Sequence, residues 1–117
     1  MDDGIGWRTR LNREFESQFP QGTFHFAVGN GWSELLGEVF RRVDAVEDEE
    51  ERVFFAWADI KEKWGLLRLT HNGSDRVDDI CDWAEAASER ICDGCGLSGR
   101  LRKDGLWRVR CDACAGS

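Results

Sequence analysis

Four cysteines near the C-terminal end, Cys92, Cys95, Cys111 and Cys114, stand at the spacing C-x2-C-x15-C-x2-C. Two intervening residues let a tight turn aim both sulfurs of a pair at one point, and Gly94 and Gly96 supply backbone freedom beside the first pair. The stretch between the pairs has the length of a hairpin that brings the chain back to that point. This is the pattern of a four-cysteine zinc ribbon. Four thiolates close a tetrahedral shell, whereas catalytic zinc keeps an open position beside His or carboxylate ligands. The expectation is one Zn²⁺, structural, held by Cys92, Cys95, Cys111 and Cys114. Disulfides are the competing chemistry, and a reducing compartment disfavours them. A redox role for either C-x2-C lacks the βαβ context that such sites use.

Other reactive side chains offer less. Cys81 falls on the apolar face of a predicted helix and reads as a small core residue. His25 and His71 have no nucleophile or metal-ligand pattern around them. Asp59-Ile60-Lys61 matches the carboxylate-x-lysine fragment of metal-dependent nucleases, yet no partner carboxylate is identifiable for it. The expectation is therefore a protein that is not an enzyme, with a small metal-dependent nuclease as the remotest alternative.

Charge constrains the partner. The chain has 117 residues and a net charge of −7. Residues 92–117 hold five basic and three acidic residues, a net +2, which leaves −9 on the first 91. An acidic body repels phosphate backbones and attracts basic protein surfaces. The run Glu47-Asp48-Glu49-Glu50-Glu51 reads as a solvated loop or, more sharply, as a contact for a basic protein partner. Arg100 and Arg102 share one face of the predicted zinc hairpin, as do Arg108 and Arg110, so a nucleic-acid-binding ribbon is the first alternative. Trp107 and Val109 would then turn toward the core.

The elements that must position these groups follow from periodicity. Ile5, Leu11, Phe15 and Phe19 suggest a helix over 5–19, stopped by Pro20-Gln21-Gly22. Phe24, Phe26 and Val28 alternate as in a short strand, and Gly29-Asn30-Gly31 breaks it. Ser33 reads as the N-cap of a helix over 34–44, with Leu35, Leu36, Val39, Phe40 and Val43 on one stripe. Residues 52–60 read as a central strand, paired with 66–70 through a turn at Lys61–Gly65. Asp75 reads as the cap of a third helix over 76–91 that runs directly into Cys92. Arg100–Lys103 and Leu106–Arg110 read as the ribbon strands around a two-residue Asp104-Gly105 turn.

The fold class is thus α+β: a small antiparallel sheet, about three helices and a docked C-terminal zinc ribbon. Residues 1–91 form the expected core and 92–117 the ribbon unit packed on it. Six Trp and seven Phe fill that core or serve an interface. The acidic Met1-Asp2-Asp3 start and the lack of a long apolar run predict a cytoplasmic protein with no membrane partner.

Ile60-Lys61-Glu62-Lys63-Trp64-Gly65-Leu66-Leu67-Arg68, then Ala84-Glu85 and Ser88, then Cys92-x-x-Cys95-Gly96 and Trp107, carry a resemblance. Over residues 53–114 the chain resembles a family of small uncharacterised bacterial and phage proteins. It departs at Trp64, where that family has Phe, and at Cys114, where His is frequent; both Cys and His ligate zinc. The resemblance implies an architecture and a phage or mobile-element setting, and no catalytic residues. Small acidic proteins of this kind resemble immunity proteins and phage-encoded inhibitors of bacterial defence. The expected function is therefore a zinc-stabilised binding protein that inhibits or neutralises a protein partner.

Overall fold

The computed structural model describes residues 6–116. Ile5 and the Met1-Asp2-Asp3 start lie outside the described residues. The fold is α+β, with two separate two-stranded antiparallel sheets.

Helix α1 spans Trp7–Glu14 and buries Leu11. It ends earlier than the apolar spacing suggests, and a 3-10 turn at Glu16–Gln18 follows. The tighter turn still delivers Phe15 and Phe19 to the core. Gln18, buried in that turn, bonds the carbonyl of Phe40 and the side chains of Asp44 and Trp57.

Residues 23–29 alternate as expected, with Phe26 and Val28 buried, but they do not form a strand. A single parallel bridge joins Ala27 to Lys61, through bonds from the Ala27 N–H to Ile60 and from the Glu62 N–H to Ala27. The opposite edge is taken by side chains of α1. Asn12 bonds both the N–H and the C=O of Phe24, and Arg8 bonds the carbonyls of Phe26 and Val28. Side chains thus satisfy backbone groups that a neighbouring strand would otherwise take.

Helix α2, Ser33–Val46, buries the whole predicted stripe of Leu35, Leu36, Val39, Phe40 and Val43. Ser33 is its first residue and not its cap, because a 3-10 turn at Asn30–Trp32 leads straight in.

The next segment corrects the sequence reading. Residues 49–54 form helix α3, Glu49–Phe54, where a strand was expected from Arg52 onward. Asp48 caps it: its side chain accepts from the Glu51 N–H at 2.8 Å, and the Glu51 carboxylate accepts from the Asp48 N–H at 2.9 Å. This reciprocal capping, with three glutamates in the positive first turn, outweighs the β preference of Val53 and Phe54.

Strands β1, Trp57–Lys63, and β2, Leu66–His71, then form a hairpin. Only one face is buried, by Trp57, Ile60, Leu67 and Leu69, so β1 is not the two-sided central strand expected. A register irregularity between Trp57 and Asp59 puts Trp57 and Ile60 on the same side. The two-residue turn Trp64-Gly65 has positive φ at both positions, 55° and 83°. That is the geometry whose twist matches the strands.

Helix α4, Asp75–Ser88, packs on α2 and β2 through Val77, Ile80, Cys81 and Ala84. Its N-cap is Ser74, one residue before the Asp75 expected. Cys81 is buried there, and desolvation pushes its thiol up to about 12, as befits a core residue. His71 is held by its surroundings too. Its Nδ1 accepts from the Gly73 N–H, its Nε2 bonds Asp78, and Phe55 and Trp57 flank the ring.

Candidate metal centre

Helix α4 delivers the chain to Cys92 with three residues to spare. The following turn is built by backbone bonds: Gly96 N–H to the Cys92 carbonyl, Cys92 N–H to Leu97, and Gly99 N–H to Arg90. Strands β3, Arg100–Arg102, and β4, Arg108–Arg110, then pair antiparallel and return the chain to Cys111. They are shorter than expected, and residues 103–107 make the connection in place of a two-residue turn. Trp107 leaves the ladder to set its ring against Trp64, 5.8 Å away, and remains 38% exposed. Val109 alone takes the expected inward position, fully buried. Cys111 caps the one-turn helix α5, Asp112–Ala115, by accepting from the Cys114 N–H.

This construction brings together all four predicted ligands. The sulfurs of Cys92, Cys95, Cys111 and Cys114 lie within 4.8 Å of one another, and the Cys95 and Cys111 sulfurs are 3.6 Å apart. A disulfide would need about 2.05 Å. Four thiolates at about 2.3 Å from a central ion stand about 3.8 Å apart along a tetrahedral edge. The geometry therefore fits one metal ion and not two disulfides.

The electrostatics agree. Burial opposes ionisation of Cys92, but N–H groups of Cys111, Cys95 and Gly94 outweigh it and hold the thiol at about 6. The neighbouring thiols Cys92, Cys111 and Cys95 push Cys114 up to about 12. Cys95 is raised as well; the Leu97 N–H lowers it, but burial and the flanking sulfurs win. One thiolate thus forms readily, and Cys95 and Cys114 resist ionisation unless a cation at the centre compensates their charge. With an ion bound, Cys92, Cys95, Cys111 and Cys114 would hold it, and its chemistry would be that of a cross-link.

Residues that sequence reasoning passed over seat the centre on the core. Gly29 and Gly31, read only as a chain break, lie directly under the Cys92 turn. A Cβ on Gly31 would meet the Cys92 carbonyl oxygen at 2.0 Å, and one on Gly29 would meet the Asp93 carbonyl oxygen at 2.2 Å. The Gly31 N–H donates to the Asp93 carbonyl at 2.8 Å, and Trp32 Nε1 donates to the Ile91 carbonyl at 2.9 Å. The Gly-x-Gly spacing was the one available signal for this seat.

Three of the four arginines of the hairpin are committed within the molecule. Asp93, 1% exposed, pairs with Arg110 and lies 3.6 Å from Arg108. Arg102 bonds the Arg110 carbonyl and pairs with Asp112 at 2.7 Å, which lowers the Asp112 carboxyl. Arg100 is the hairpin arginine left facing solvent.

The acidic run is also structured. Glu47 is buried, Asp48 is the helix cap, and Glu49, Glu50 and Glu51 form the first turn of α3. The solvated-loop reading of 47–51 is therefore replaced. Asp59 is exposed on β1, and among the described residues the four cysteines are the only cluster of His, Cys, Asp or Glu arranged for a metal.

Fold and site together define an α+β protein with a four-cysteine cluster that could hold one metal ion, packed against its core. Comparison with protein-family models, curated proteins and solved structures finds no match to the chain. No helix among the described residues is long and apolar enough to cross a membrane.

Proposed function

We propose that this is a non-enzymatic, zinc-stabilised binding protein whose acidic face engages, and so neutralises, a basic protein partner. One observation carries the reading. Beside the carboxylates of Glu49, Glu50 and Glu51, helix α3 holds Val53 75% exposed and Phe54 73% exposed. Two adjacent large apolar side chains in water, beside a mainly acidic helix turn, have the composition of a protein contact. Electrostatic steering by the acidic body speeds encounter with a basic surface. Zinc is the ion expected of four thiolates in a tetrahedral arrangement. Neutralisation of a nucleic-acid-handling enzyme, as by an immunity protein or a phage-encoded inhibitor, is the form of the reading that this charge favours.

The nucleic-acid alternative draws less support, because Arg102, Arg108 and Arg110 already have carboxylate partners. The nuclease alternative rests on the Asp59-Ile60-Lys61 step alone.

Native mass spectrometry after gentle purification tests the proposal. The expected result is one zinc per chain and a co-purifying basic protein, lost in Phe54→Asp while the zinc is retained. Retention of the same protein by Phe54→Asp, or salt-sensitive capture of nucleic acid in its place, would overturn it.

A further inference from the structure

The acidic run does more than cap a helix. Glu47, Glu51, Phe54, Phe55, Gly73 and Ser74 line a cleft of about 310 Å³. That is near the lower end of the range for small-molecule sites, about 300–1,000 Å³. Glu47 is only 4% exposed, and its side chain makes no hydrogen bond or ion pair with any described residue. Its carboxylate oxygens are not sealed from solvent, so the group can meet a ligand from the cleft it lines. The nearby guanidinium groups offset its charge only in part, because Arg76 is bonded to Glu51 and Arg52 to the Asp44 carbonyl. Ser74 Oγ, on the same cleft, is buried and has no hydrogen-bond partner, the one such side-chain atom among the described residues. Desolvation, followed by the charge of Glu51, raises the Glu47 carboxyl.

We propose that this cleft is a binding site for an organic cation, a guanidinium or ammonium group on an apolar stem. Glu47 supplies the counter-charge, Ser74 Oγ accepts an N–H, and the exposed ring of Phe54 covers the cation. A planar guanidinium matches this set better than an ammonium, because it bonds a carboxylate with two parallel donors and stacks on an aromatic face. The proposal rests on the reading of the acidic run as a contact surface and gives that contact a chemistry. The cation comes either from an arginine side chain of a partner or from a free alkylguanidine.

The test is an amide-resolved NMR titration of the intact, metal-bound protein with n-butylguanidinium. Its neutral isostere n-butylurea serves as control, and a Gly-Arg-Gly peptide forms a parallel arm. Saturable shifts are expected at Glu51, Phe55, Gly73 and Ser74 with the cation and not with the urea. Glu47→Gln, which keeps the shape, should weaken binding about tenfold, the worth of one hydrogen bond to a charged group. Asp82→Asn, which removes an equal charge from the exposed side of α4, should leave it unchanged. Equal shifts with n-butylurea, or equal affinity in Glu47→Gln, overturn the site. If the peptide moves the same amides, the cation can arrive on a protein. If only n-butylguanidinium does, the site takes a free cation. Because no partner is present, a chain that captures its partner but not n-butylguanidinium loses this inference alone. The reverse result loses only the partner reading.

Discussion

The cysteine centre and the acidic cleft lie at the two extremes of how this molecule treats charge. Around the cysteines, charges have partners: Asp93 meets Arg110 and Arg108, and Asp112 meets Arg102. The turn that carries Cys92 is pressed onto Gly29 and Gly31 without room for a methyl group. In the cleft, the Glu47 carboxylate and Ser74 Oγ make no hydrogen bond, and the Phe54 ring projects into water beside them. Matched charge and close packing are how a fold secures itself. Unmatched charge beside exposed aromatic surface is how a fold leaves room for something else.

Removing the metal should break the first region most severely. A chelator should lower the melting temperature by about 20 °C or more, since binding to a structural thiolate site is folding free energy. Hydrogen exchange should show the loss concentrated at 91–116, with the α3 amides changed least. Equal loss across both regions would mean that the centre and the cleft are one cooperative unit. Gly31→Ala comes next. Its new methyl would sit 2.0 Å from a backbone carbonyl oxygen, so urea denaturation should show a cost of about 3 kcal/mol. A variant as stable as the parent would show that the seat yields.

The cleft should respond more gently. Asp48→Ala removes the reciprocal cap of α3 and should cost about 1 kcal/mol, with fraying seen by exchange at 49–54 and metal content unchanged. The smallest effect concerns pH. The Glu47 carboxyl is raised in the folded chain, so the native state holds its proton more tightly than the unfolded state. That contribution is fully present below the unfolded value and is lost as pH rises through the folded one. Glu47→Gln should flatten this decline in a pH series of denaturation curves. An unchanged slope would place the carboxylate in ordinary water.

How much of this was legible depends on how local the cause was. The apolar stripes of α2 and α4 were readable because one helix face meets one core. The cysteine set was readable because ligand type and spacing nearly suffice for a tetrahedral site. Helix α3 was misread, although Asp48-x-x-Glu51 is itself a helix-start signature; the aromatic and β-branched run after it was given more weight. The segment 23–29 kept its predicted alternation but not its strand pairing, since Asn12 and Arg8 take the backbone groups that a neighbouring strand would need.

Alone, the sequence determined the α+β class, the clustering of four cysteines and the acidic excess of the first 91 residues, all of which follow from residue type and near-neighbour spacing. Tertiary structure decided which glycines seat the metal turn and which arginines are already paired. It also drew one residue of the acidic run, Glu47, into the protein without giving its carboxylate a hydrogen bond. Those outcomes depend on which distant segments meet, Gly31 with Cys92 and Glu47 with Ser74, and spacing along the chain carries no record of such meetings.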